Sequence, residues 1–481
     1  MLDPVVNDVN HDATLDAGAS EGVRLTGAKN GGAMTRTPNR QLAALLTEAR
    51  WGNDQLARAV NRTGRDTGLE LTYDHSAVSH WLKGVKPRLV VRPVIAEAFA
   101  RRLGRPVTSQ EAGFGKAPAG ARDNDRLGGL ADLVRDDMDP SRRTMLAAGL
   151  YSAAMLVPGY TELAQRLDGA QQEVRAGRTV RIGESEVETV RAMTDRIAAI
   201  LDELGGGHAR PMSAAFLANT VMPWLSADGS PATKKSMLAA ASDLVYLTGW
   251  MAMYERAHGL GQQYFTEALQ LAQDGQDHVT YCRTLRGMSL QAANLGYGPR
   301  ALEYADAAAE CAPAAGPRLT AFLRGQQAHG AALVKDQRLA FTRLQETEAA
   351  LSKADGRNDA VGGYDWAAYH FHVSSVLYAL GDLPGSIQAM RQSNRTRPVN
   401  ERQGRLHANG VLAARQWELG HIEAAAATWG EFLDDYTALS TSRGDEHFDK
   451  LRASLAAQVG NRQVRRLGER VREVARQKAA V

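Results

Sequence analysis

The sequence predicts an all-α protein made of a short basic head and a long repeated helical array. Three observations carry that expectation. From residue 36 onward large apolar residues recur at three- and four-residue intervals, and runs of β-branched residues are scarce. Five segments of the C-terminal half share one layout, with spacings of 40, 39, 46 and 39 residues. Charge is divided unevenly: residues 34–116 hold 14 Lys+Arg against 7 Asp+Glu, while the remainder holds 43 against 47. A basic segment on a mildly acidic body is the pattern of a polyanion-binding head.

The bulk composition narrows the function classes. With 481 residues, 44% hydrophobic and 23% charged, the chain has material for several cores and the balance of a soluble protein. No apolar run reaches the roughly 18–20 residues that a bilayer requires, so no membrane partner is expected. The two cysteines, Cys282 and Cys311, stand apart from each other and from histidine clusters. They predict neither a disulfide framework nor a metal site, and they fit a reducing cytoplasm. GxxxxGK[ST], HExxH and GxSxG are absent. No catalytic residue, metal or cofactor is therefore expected, and the protein reads as a non-enzyme. The stretch SRRTMLAAGLYSAAML (141–156) has a twin-arginine look, but it follows a folded segment and reads as a helix start.

Residues 1–33 are rich in Asp, Asn, Gly and Thr and predict a disordered tail. In the head (34–115), Leu42, Leu45, Leu46 and Ala49 mark one helix, and Leu56, Ala57 and Val60 mark a second over Asn53–Asn61. A polar connection leads to a third helix over Asp74–Lys83. There Asp74 caps, Tyr73 packs back on Val78 as a staple, and Val78 and Trp81 form the buried stripe. Gly84 and Pro87 stop that helix. Val94–Leu103 supplies a fourth helix, and 116–140 reads as a Pro/Gly/charge-rich linker. Residues 141–235 are a helical prelude to repeats over 236–440, and the basic end 441–481 is a solvated cap.

Each repeat pairs two helices. The first carries a small residue near its middle: Gly249, Ser289, Ala328, Ser374 and Ala413. The second opens with Gly261, Ala301, Ala340, Ser386 and Ala425, each followed four residues later by an apolar one. Small residues at both places let antiparallel helices approach closely. The layout resembles the tetratricopeptide repeat, with VSSVLYALGDLPGSIQAMRQSNRTRP the best unit, although the period exceeds the usual 34.

The head carries a second resemblance. DQLARAV…YDHSAVSHWLKGVKPR, followed by VIAEAFARRLGR, is similar to the helix-turn-helix of the Xre/Cro repressor class, apart from a longer connection between its two helices. That head joined to a repeat array resembles the NsdA-like regulators of streptomycetes, which restrain sporulation and antibiotic synthesis. The resemblance implies a sequence-specific repressor on double-stranded DNA, acting as a homodimer or higher oligomer in the cytoplasm at the nucleoid. His75, Ser76, Ser79, His80 and Lys83 would then reach base edges. Arg58, Arg62, Arg65, Lys86 and Arg88 would contact phosphate.

The repeats are expected to present a concave wall. Arg283, Arg286, Gln326, His329, His372, Tyr378 and Asn409 are the candidates for an effector groove that takes a peptide, a protein or a small molecule. Trp250, Tyr254, Tyr264, Trp366, Trp417 and Trp429 read as core knobs. The competing expectation is an adaptor that uses the array alone, without sequence-specific DNA binding.

Overall fold

The computed structural model describes residues 37–66, 69, 71–103, 105, 107–114, 126–138, 181–311, 316–354, 364–399, 401–456 and 462–479. The expected tail and the 141–156 segment lie outside the described residues. Among the described residues every regular element is helical, and one isolated bridge joins Arg181 to Asp228.

The head packs four helices: α1 (Arg40–Ala49), α2 (Asn53–Asp66), α3 (His75–Leu82) and α4 (Val91–Leu103). Leu42, Leu56, Val60, Val78, Val94, Ile95 and Phe99 are buried in one cluster with Trp81. Asn39 starts α1 by accepting from the Leu42 amide, and its own side-chain amide donates to the Ala112 carbonyl. Helix α2 runs beyond the expected Asn61. A Cβ on Gly64 would lie 2.6 Å from the Leu71 side chain, so the returning chain packs directly over the last turn of α2. Much of the connection that reads as polar loop is therefore helix.

The linker expected over 116–140 is corrected in its second half. Helix α5 (Arg126–Met138) buries Leu130, Leu133 and Val134 in the body's main core. Its Asp137 accepts from Arg210 and from the Tyr264 hydroxyl. Helices α6 (Glu184–Leu204) and α7 (Gly206–Phe216) follow, then a π-helical turn (Leu217–Val221) and the short α8 (Met222–Leu225).

Five antiparallel pairs come next: α9 (Pro231–Tyr254) with α10 (His258–Asp274), α11 (His278–Asn294) with α12 (Gly298–Glu310), α13 (Gly316–Leu333) with α14 (Gln337–Leu351), α15 (Trp366–Leu380) with α16 (Leu383–Thr396), and α17 (Arg402–Glu418) with α18 (Ile422–Tyr436). The small residues stand where helices touch. The Ser289 hydroxyl donates to the Ala301 carbonyl, and the Ser374 hydroxyl to the Ser386 carbonyl, each at 2.6 Å and twelve residues apart. A Cβ on Gly249 would lie 3.1 Å from the Gly261 carbonyl oxygen. At one offset after each small residue the backbone turns with positive φ, at Arg256, Gly296, Lys335, Gly381 and Gly420. Three of those five turns use glycine, which adopts that conformation without strain.

The array returns on itself. The Ser440 amide donates to the Leu204 carbonyl and the Gly207 amide to the Ser440 carbonyl, at 2.9 and 3.0 Å. Glu255 at the end of α9 accepts from both the amide and the hydroxyl of Ser442. Gly205, at φ 91°, is needed there, because a Cβ would collide with the Ser440 carbonyl. Helices α19 (Ser442–Ala456) and α20 (Arg462–Ala479) complete the described chain. The basic α20 is not wholly solvated: Val464, Leu467, Val471 and Val474 are buried, and its arginines stay outward.

Candidate functional site

Two places gather chemistry-bearing side chains, the polar edge of α3 and a chamber inside the array. The local sequence fixes α3 rigidly. Asp74 accepts from the Ser76 and Ala77 amides, and the Ser76 hydroxyl donates to it at 2.7 Å. That hydroxyl, followed by the Ala77 amide, holds the Asp74 carboxyl below its usual range. Tyr73 packs against the cluster that holds Val78 and Trp81, and its ring meets Trp81 edge-on with centroids 5.0 Å apart. Asn61 grips the Tyr73 backbone twice, donating to its carbonyl and accepting from its amide. Leu56, Ala57 and Val78 are buried beneath. Asn61 had no signal in the sequence beyond being polar near a helix end.

Of the expected base-reading residues, His75, Ser76, His80 and Lys83 are exposed and Ser79 is half-buried. His75 lies 3.8 Å from Asp54. Lys86 and Arg88 are exposed just beyond α3, on a segment held by Arg92, which donates to the Pro87 and Phe114 carbonyls. Arg58, Arg62 and Arg65 are exposed along α2. Arg62 and Arg65 also border a cleft of about 470 Å³ that includes Arg101 and Tyr297. The Arg101 guanidinium sits over the Tyr297 ring at 4.9 Å.

The array lines an open-mouthed chamber of about 960 Å³, a size suited to a small ligand. It brings together Arg283, Arg286, His329, His372 and Tyr378 of the expected groove. Gln326 and Asn409 are elsewhere, a correction to the expected set. Gln326 is fully buried and donates to the Ser289 hydroxyl, while Asn409 accepts from Asn394. Both polar side chains bridge helices because the tight packing leaves them no route to solvent.

Aromatic residues that read as core divide. Tyr264 and Trp429 are buried, Trp417 is half-buried, and Trp366 is 40% exposed. Trp250 and Tyr254 line the chamber. Trp250, Leu290, His329 and Ser375, each next to the small residue of its unit, all face it. That register was present in the sequence and would have found Trp250.

The chamber wall carries six cations, Arg283, Arg286, Lys335, Arg397, Arg415 and Arg443, against the carboxylates Asp202 and Glu401. Burial, followed by the neighbouring Glu401 charge, pushes Asp202 up to about 6. Burial and nearby arginines hold His329 down at about 4, and His372 and His407 well below their usual value. These rings are neutral at pH 7. Arg443 donates to His407 Nε2, which puts the single ring proton on Nδ1, where it is donated to His447 Nε2 at 2.9 Å. Among the described residues no cluster of three or more His, Cys, Asp or Glu could hold a metal ion, and no helix is long and apolar enough to cross a membrane.

A family profile described as the SP15 N-terminal domain matches residues 42–115, which span the four head helices and the turns after them. Searches of curated proteins and of solved structures return no match.

Proposed function

We propose that the chain is a sequence-specific DNA-binding transcriptional regulator whose repeat array senses a ligand. In keeping with its resemblance to NsdA-like regulators, it acts as a repressor of differentiation and antibiotic genes. It works as a dimer or higher oligomer at the nucleoid, because one small head offers limited contact with DNA. The observation that supports the reading is the α3 edge. His75, Ser76 and His80 are exposed on α3 and Lys83 at its end, with Ser79 half-buried among them, on a helix whose inner face is fixed by Val78 and Trp81. Lys86, Arg88 and Arg58 flank it as exposed cations. Short polar side chains on a rigid helix, with cations beside it, are what a major-groove reader requires.

The test is an electrophoretic shift on genomic fragments with the full chain and with Ser79→Glu/His80→Ala. A specific shift that is salt-sensitive and lost in the double variant supports the reading. Equal binding by both proteins, or none in dilute salt, overturns it in favour of an adaptor.

A further inference from the structure

Among the described residues, Arg286 is the one cation of the chamber wall with no hydrogen bond or ion pair to a polar partner. Arg283 donates to Asp243 at 2.7 Å and Arg397 to Glu401 at 2.9 Å. Arg415 donates to the Ser374 hydroxyl, Arg443 to His407, and Lys335 to the Ala379 carbonyl. Arg286 is only 8% exposed, its buried Nε has no hydrogen-bond partner, and among the described residues no carboxylate pairs with it. Its guanidinium rests over the Phe322 ring at 4.2 Å and the Trp250 ring at 5.6 Å. Aromatic faces attract the charge but accept none of its five hydrogens in line. A buried cation in this state is costly unless something else supplies the anion. His329 Nδ1, on the same wall, is also without a partner.

The rest of the wall says what accompanies that anion. Trp250, Tyr254, Leu290, Phe322 and Phe371 give the chamber aromatic and aliphatic surfaces beside Arg286. A volume of about 960 Å³ is in the range of small-molecule sites. We propose that the chamber binds a small organic anion, an aromatic or apolar body carrying one carboxylate-, sulfonate- or phosphate-type group that pairs with Arg286. This rests on the ligand-sensing half of the proposed function and gives that ligand its chemical class. The DNA-binding half is tested separately: a chain that binds such an anion but shifts no duplex loses the regulator reading and keeps this one.

The full chain is titrated with 1-anilinonaphthalene-8-sulfonate and with N-phenyl-1-naphthylamine, which has the same rings without the sulfonate. The wild type is expected to bind the sulfonate roughly tenfold or more tighter. Arg286→Gln abolishes that preference, leaves the neutral probe's affinity unchanged, and melts no lower than the wild type. Equal affinity of the wild type for both probes, or a preference for the sulfonate that survives in Arg286→Gln, overturns the proposal. Should the variant fail to fold, displacement of the sulfonate probe from the wild type decides. Indole-3-acetate is expected to compete and indole-3-acetamide not, and equal competition by both, or by neither, overturns the proposal.

Discussion

The Ser289 hydroxyl donates to the Ala301 carbonyl across 2.6 Å while accepting from the Gln326 amide at 2.9 Å. One small side chain thus joins three helices of consecutive pairs. Ser289→Ala takes away the acceptor of the Gln326 side-chain N–H in the core and is expected to cost about 1–2 kcal/mol. Ser289→Leu must force α11 away from α12 and is expected to cost about 3 kcal/mol. Urea denaturation of the full chain ranks the two, and a tolerated leucine would contradict the close approach.

Asn61 fixes α3 from outside it. Asn61→Ala frees the Tyr73 amide and carbonyl, with a local cost of about 1–3 kcal/mol. Hydrogen exchange followed by mass spectrometry should show residues 71–82 losing protection roughly ten- to hundredfold. Protection in the repeats should stay as it was. Unchanged exchange at 71–82 would show that the edge-on Tyr73–Trp81 contact is enough.

Duplex affinity is expected to fall steeply with salt. Lys86→Ala and Arg88→Ala should each weaken binding alike on every sequence and flatten the log–log salt slope by about one. Ser79→Ala should instead reduce discrimination between sequences and leave the slope in place. Fluorescence anisotropy from dilute to physiological salt separates the two behaviours.

Acid should destabilise the array before most carboxylates titrate. Folding holds His329 at about 4 and His447 at about 3, with His372 also strongly lowered, whereas unfolded histidines protonate near pH 6.5. The folded values lie below the unfolded one. Their stabilising contribution is therefore complete above about pH 6.5 and is lost as pH falls towards 4. The urea midpoint should be level from pH 8 to 7 and decline below 6.5. His372→Gln, which removes one such group, should decline less steeply.

Much of this architecture could be read from residue spacing. The paired small residues predicted the helix contacts because close approach admits only Gly, Ala or Ser, as at Gly249 and Gly261. The capping of α3 by Asp74 was legible for the same local reason. What spacing cannot carry is contact between distant segments. Nothing near Leu204 announces Ser440, so the array reads as open although it closes. Gln326 and Asn409 share the polarity of Arg286, and only the packing of the next helix sends them into bridges and Arg286 into the chamber. The cations Arg397, Arg415 and Arg443 were missed because solvated and enclosed arginines look the same in one dimension.

The junction at Ser440 and Ser442 changes how the body should come apart. An open stack of helix pairs can peel from either end, one pair at a time, because each pair leans only on its neighbours. Here the last strut is bolted to the first, so peeling one end also strips support from the other. The circle should give way in a single steep transition. Glu255→Ala removes the two Ser442 bonds and leaves the Leu204–Ser440–Gly207 backbone bonds, so it should loosen the seam and broaden the transition seen by calorimetry.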